Sequence, residues 1–204
     1  MTDETELAGE LTRALSEAPG QLDRLHERLA ATARADGILD VAYRTLDSPI
    51  GTLLLAATER GVVRVAFSCE DHDAVLGDLS ARISPRILRD GTWLDDAALE
   101  LEQYFAGGRH TFDMALDWRL STGFRSTVLH HLPEIAYGRT ATYAAVAQLA
   151  GNPKAVRAVG SACATNPLPV VVPCHRVVRS DGSMGGYLGG IEVKRALLSL
   201  EAAT

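Results

Sequence analysis

Residues 142–163 read TYAAVAQLAGNPKAVRAVGSAC, and the organisation of the C-terminal part of the chain turns on them. Thr142 is placed to cap a short helix, Tyr143–Ala150, that stops at Gly151. Asn152 then stands as the N-cap of a second helix and Pro153 as its first residue. That helix carries Lys154 and Arg157 and runs to about Cys163. A short helix, a glycine turn and a second helix opening with basic residues form a helix-turn-helix layout. The spacing by itself fits any corner between two helices equally well, so further residues have to decide between the two readings.

Working outward, Phe124, Val128, Leu132 and Ile135 mark a preceding helix, with Pro133 late in it and Gly138 at its end. Downstream, Asn166-Pro167-Leu168-Pro169 forces extended or turning backbone, because proline fixes φ and restricts the residue before it. A buried run, Val170–Val172, leads into Pro173-Cys174-His175-Arg176-Val177-Val178. A thiol that leaves a buried segment beside an imidazole and a guanidinium is a reactive-cysteine arrangement, since a base or positive charge favours the thiolate. An inert buried cysteine is the alternative. The glycine-rich loop at 180–190 lacks the lysine of a phosphate-binding loop and the strand–helix context of a dinucleotide fingerprint. It instead allows backbone and the Tyr187 ring to approach a flat ligand. A closing helix, Glu192–Glu201, ends on an acid that the helix dipole disfavours there.

The N-terminal part has a different texture. Leu7, Leu11 and Leu15, then Leu22, Leu25 and Leu29, recur at helical spacing on either side of Pro19-Gly20 and predict an amphipathic helical hairpin whose apolar stripe packs on the rest of the chain, the favoured case, or on a partner. Val41–Leu46, Thr52–Ala57 and Val62–Phe67 read as an antiparallel meander, with turns at Ser48–Gly51 and Glu59–Gly61. Helices are expected over 72–83 and 92–106, and a short strand near Thr111–Leu116. The fold class expected is α+β: a helical extension over 1–37, a small α/β domain with an antiparallel sheet over 38–118, and a mainly helical domain with the helix-turn-helix over 119–204.

Composition limits the function. With 204 residues, 47% hydrophobic and 23% charged, the chain is neither disordered nor low-complexity. No apolar run approaches a membrane span of about 20 residues, and the acidic N-terminus lacks the features of a secretory signal, so a cytoplasmic location is expected. Cys69, Cys163 and Cys174 are too few for a disulfide framework or a four-cysteine zinc site. No metal is expected. The net charge of −6 is uneven: residues 1–120 carry 12 arginines and no lysine against 22 acids, whereas residues 121–204 carry 6 arginines and 2 lysines against 4 acids. A basic C-terminal part hints at a polyanionic partner.

Pro173-Cys174-His175-Arg176-Val177, together with Gly151-Asn152-Pro153-Lys154-Ala155-Val156-Arg157-Ala158-Val159-Gly160 and Asn166-Pro167, resembles the O6-alkylguanine-DNA alkyltransferase family. The similarity runs from about Phe124 to Glu201. Thr45–Gly51 is similar to the start of that family's N-terminal domain, and residues 1–37 have no counterpart. The resemblance implies a DNA repair protein that flips O6-alkylguanine out of duplex DNA and transfers the alkyl group irreversibly to its own Cys174. It implies His175 as a base acting through water, Glu201 orienting it, and Asn166 bracing the turn. Arg157 would enter the duplex, with Asn152, Lys154 and Ala155 also on the DNA, approached through its minor groove. Tyr143, Tyr187, Val177, Leu188 and Pro169 would form the substrate pocket, with carbonyls of Cys174 and Val177 accepting from the guanine amino group and the Leu188 amide donating to its oxygen. No cofactor is implied, and a monomer is expected. Two other readings are a damage sensor without transfer, which Cys174 argues against, and a cysteine hydrolase, which leaves the helix-turn-helix unexplained. Leu188 is bulkier than the residue usual there, and sparse charge on the second helix predicts modest, salt-sensitive binding.

Overall fold

A computed structural model describes residues 19–202. Helix α1 (Pro19–Ala35) starts on proline, whose missing N–H costs nothing in a first turn. Ala30 and Ala33 are buried, while Leu25 and Leu29 are half exposed, so these two leucines do not pack on the rest of the chain as expected. Alanine is small enough to let the helix close on Leu39, Ala42, Leu88 and Trp93. The expected helix through Leu7, Leu11 and Leu15 lies outside the described residues.

Strands β1 (Val41–Leu46), β2 (Leu53–Thr58) and β3 (Gly61–Ala66) form the antiparallel meander, with Leu46 opposite Leu53 and Thr58 opposite Gly61. After α2 (His72–Arg82), a fourth strand, β4 (Ile87–Arg89), pairs in parallel with β1, giving the order β3-β2-β1-β4. β4 has three residues and too short a run to show a period of two. All six residues of β2 are buried, because both faces of the sheet are covered. Leu54 and Ala56 pack with Leu79 of α2 on one face. Leu53, Leu55 and Ala57 face Leu101 and Tyr104 of α3 (Asp95–Phe105) and the core of the C-terminal part on the other. The strand expected near 111–116 reduces to a single bridge between Val62 and Leu116. There the backbone of Ala115 runs so close to Gly61 that a Cβ would sit 2.2 Å from its carbonyl oxygen.

The C-terminal part is mainly helical. α4 (Gly123–His131) tightens into a 3-10 turn, Leu132–Glu134, where Pro133 cannot continue an α-helix. α5 (Tyr143–Leu149) is capped by the Thr142 hydroxyl, which accepts from Ala145 N at 3.1 Å. It ends with Gly151 at φ +76°, the Gly151 amide donating to Gln148 O and the Asn152 amide to Ala147 O. Asn152 does not cap the next helix, whose N-cap is Ala155, with no side-chain cap bond. Residues 152–155 form a turn, and α6 (Val156–Ala164) starts three residues later than the sequence predicts. Two-residue strands β5 (Ala141–Thr142) and β6 (Val177–Val178) pair in parallel, and α7 (Ile191–Ala202) closes the fold. One buried cluster extends from Leu53 and Phe67 to Cys174 and Leu197, so the sheet and the helices share a core.

Candidate active site

The segment from Asn166 to Cys174 carries three prolines and repeated valines, and it folds as consecutive turns, with Val170 at φ +72°. A β-branched residue in that region is strained and has to be held by its surroundings. Asn166, 1% exposed, does much of the holding. Its Oδ1 accepts from Leu168 N at 3.0 Å, and its Nδ2 donates to Val172 O at 2.8 Å and to Cys174 Sγ at 3.2 Å. The segment is also tied to β3, where Val65 N donates to Pro167 O at 2.9 Å.

Cys174, His175 and Arg176 form a buried 3-10 turn that faces the end of α7. His175 Nε2 meets Glu201 Oε1 at 2.7 Å. The same carboxylate accepts from the Arg176 guanidinium at 2.9 Å on each oxygen, from the Tyr104 hydroxyl at 2.8 Å and from Gly138 N at 3.1 Å. Burial pushes the Glu201 carboxyl up, but hydrogen bonds from His175 and Arg176 outweigh it and bring the pKa down to about 2. Burial lowers the His175 pKa against the opposing pull of Glu201. A neutral imidazole beside an ionised carboxylate carries its proton on Nε2, leaving the Nδ1 lone pair free. Nδ1 is buried and has no protein partner among the described residues, and the same holds for the Tyr187 hydroxyl.

Burial pushes the Cys174 thiol up to about 11, against the hydrogen bond from Asn166 and the positive charge of Lys194. Lys194 is fully buried on α7, and its Nζ donates to Val177 O at 2.6 Å. Burial lowers its pKa, and the two thiols Cys174 and Cys163 oppose that.

An open cavity of about 600 Å³ is walled by Tyr143 of α5, Gly160 and Ala164 of α6, Arg179, and Gly185, Gly186, Tyr187 and Leu188 of the glycine loop. Glycine is required at 185, where a Cβ would come within 2.4 Å of the Tyr143 hydroxyl. The Leu188 amide donates to no described group. Tyr187 rests on Phe67 (ring centroids 5.5 Å apart) and on the edge of His175. Arg157, Gly160 and Ala164 share one face of α6 by their i, i+3, i+7 spacing. Arg157 is therefore one turn beyond the cavity wall, exposed and without an ion pair among the described residues. Asn152 and Lys154 are exposed and Ala155 half-buried in the turn before it. Pro169 and Val177 are buried and off the cavity wall, and one lone pair of the Val177 carbonyl is taken by Lys194. Among the described residues no three His, Cys, Asp or Glu side chains cluster as a metal site.

Tyr104, Lys194 and the Gly138 amide are parts of this site that sequence reasoning did not assign, and Arg176, read there as a charge flanking the thiol, is bound to Glu201. A signal was present on α7: Lys194, Leu197 and Glu201 have the spacing of one apolar face, so both charges were destined for burial beside partners.

Residues 41–118 match the family model "6-O-methylguanine DNA methyltransferase, ribonuclease-like domain", and residues 123–203 match "6-O-methylguanine DNA methyltransferase, DNA binding domain". The methylated-DNA–protein-cysteine methyltransferase of Methanosarcina acetivorans is 38% identical over 79% of this chain and 98% of its own. The constitutive enzyme of that name from Bacillus subtilis is 38% identical, covering 78% and 94%. Mycobacterium tuberculosis OGT, solved in complex with DNA, superposes with a TM-score of 0.70 at 39% identity over 79% of this chain and 93% of its own.

Proposed function

The chain belongs to the 6-O-methylguanine DNA methyltransferase family and repairs DNA by transferring an alkyl group to a cysteine, and we propose that this cysteine is Cys174. The carrying observation is that Cys174 alone of the three free cysteines has a hydrogen-bond donor on its sulfur and a neutral, carboxylate-oriented imidazole as its neighbour. Cys69 is exposed, and its thiol is turned to the Leu188 carbonyl at 3.6 Å. Cys163 is buried, its thiol is pushed up mainly by burial, and nothing among the described residues donates to it.

In this reading α5 and α6 act as a helix-turn-helix on duplex DNA, entering through the minor groove. The target guanine leaves the stack, because its O6-alkyl carbon is otherwise out of reach of a buried thiol. Arg157 fills the gap it leaves, and Tyr143, Tyr187 and Leu188 wall the extruded base. The thiol proton passes through water to His175 Nδ1 as sulfur attacks the alkyl carbon. The S–C bond forms and the C–O bond breaks, and the departing guanine takes up a proton in turn. The Tyr187 hydroxyl and Leu188 amide are donors left available to it. The thioether has no leaving group, so each molecule, acting as a monomer in the cytoplasm, reacts once and needs no cofactor.

The test is a duplex with a single O6-methylguanine, followed by peptide mapping of the methylated residue. The label belongs on Cys174, and Cys174→Ala and Cys174→Ser should transfer nothing while unfolding as cooperatively as the parent. Methyl on Cys69 or Cys163 would overturn the assignment.

A further inference from the structure

Of the eight cationic side chains in residues 121–204, four are occupied: Arg176 by Glu201, Arg195 by Glu192, Arg125 by Leu120 O, and Lys194 by Val177 O. Arg139, Lys154, Arg157 and Arg179 have no side-chain partner among the described residues, and all are exposed. Only Arg179 of these four stands on the wall of the cavity that receives the base. It also lines a second hollow of about 250 Å³, formed with Ala144, Val156, Ser180 and Asp181. Arg179 and Tyr143 are the two residues common to both, so together they make the ridge between them.

The backbone under Arg179 is held. Its amide donates to Ser183 O at 2.9 Å, and its carbonyl accepts from Gly182 N at 3.0 Å. Asp181, the acid nearest in sequence, has its carboxylate engaged by the Ser183 amide at 2.9 Å and the Ser183 hydroxyl at 2.6 Å. It does not form an ion pair with Arg179. An unpaired guanidinium on a fixed turn, on a wall shared with Tyr143, matches the needs of a single anionic oxygen cluster.

The geometry points to Arg179 as a positioning residue that grips a backbone phosphate flanking the flipped nucleotide. The inference rests on the reading of the 600 Å³ cavity as the pocket for the extruded base. A base seated there carries its sugar and phosphate to the ridge that Arg179 and Tyr143 share. Asp181 in the smaller hollow repels the phosphate and keeps it on the Arg179 side. Arg157 and Arg179 then have separate tasks: one holds the duplex open, and the other holds the nucleotide out.

The experiment compares wild type, Arg179→Ala and Arg179→Lys on an O6-methylguanine duplex and on free O6-benzylguanine, which has no phosphate. Loss of a charge-assisted bond predicts that Arg179→Ala reacts with the duplex about 10-fold more slowly, relative to its rate with the free base. The logarithmic salt slope should fall by about 0.9, the value of one phosphate contact. Arg179→Lys keeps the charge without the fork and should recover part of the loss. The decisive measurement places a neutral methylphosphonate at each phosphate in turn. One position flanking the lesion should slow wild type and leave Arg179→Ala unaffected. Equal losses on both substrates, or no position at which the two effects merge, would overturn the proposal. Failure of the underlying reading looks different: wild type itself would then transfer no alkyl group to Cys174.

Discussion

Replacing Glu201 with glutamine tests the site at its most heavily bonded atom pair. Two carboxylate oxygens serve donors from Tyr104, Gly138, His175 and Arg176, and both partners of the ion pair are nearly fully buried. An amide keeps the shape, but it offers one acceptor and turns its own N–H groups toward donors. It also strands the Arg176 charge. Removing one partner of a buried pair costs about 3–5 kcal/mol. Proton linkage gives a similar size. A carboxyl held at about 2 against an ordinary 4.5 contributes about 3 kcal/mol. Its sign is that of a depressed acid. The contribution is complete above pH 4.5 and is lost as pH falls toward 2. Urea unfolding at pH 7 should therefore show Glu201→Gln destabilised by about 3 kcal/mol, and its stability should lack the parent's loss between pH 4.5 and 2. To separate this from the relay, Arg176→Met is added to Glu201→Gln. The double variant removes the stranded charge and should regain much of the stability, yet alkyl transfer should remain slow because His175 has lost its orienting carboxylate. An unchanged urea midpoint in the single variant, or a double variant that transfers at the parent rate, would refute the reasoning.

Arg157→Ala should slow repair of duplex DNA far more than reaction with free O6-benzylguanine, read as the ratio of second-order rates, because the free base requires no extrusion. Asn166→Ala leaves Leu168 N buried without a partner, while Val172 O keeps the Cys174 amide as a donor, and should cost about 1–3 kcal/mol in urea unfolding. It also removes the hydrogen bond that favours the thiolate, so the pH–rate profile with the free base should move to higher pH.

The sheet was legible because its short apolar runs are bounded by turn signals at 48–51 and 59–61. β1 has the predicted limits, and β2 and β3 are each displaced by one residue at both ends. β4 was not legible, since its pairing with β1 is a long-range event and three residues carry no pattern. Proline at 153 was read as a helix start, yet the chain stays in a turn through Ala155, and only the backbone bonds of that turn reveal it. The leucine face of α1 misled for a related reason: periodicity says which residues share a face, and the choice of buried face depends on how closely the partner must approach. In the active site, Cys174, His175 and Asn166 are legible as one local constellation in sequence. Tyr104 lies 97 residues from Glu201 and carries no local mark of its role.

The electrostatics also constrain how the thiol is activated. Burial holds the Cys174 thiol above its ordinary value, which works against storing the nucleophile in the charged form. The Asn166 hydrogen bond and the Lys194 charge only moderate this. In the proposed relay the proton is instead removed during attack, through water, by a neutral base with a free lone pair. His175 is held in that state. Glu201 fixes the proton on Nε2, and burial keeps the ring from charging in advance. The charged Arg176 offsets the carboxylate, which would otherwise draw a second proton onto the imidazole. A protonated resting thiol suits a protein that reacts once, because an alkylating agent arriving without a guanine finds little thiolate to consume.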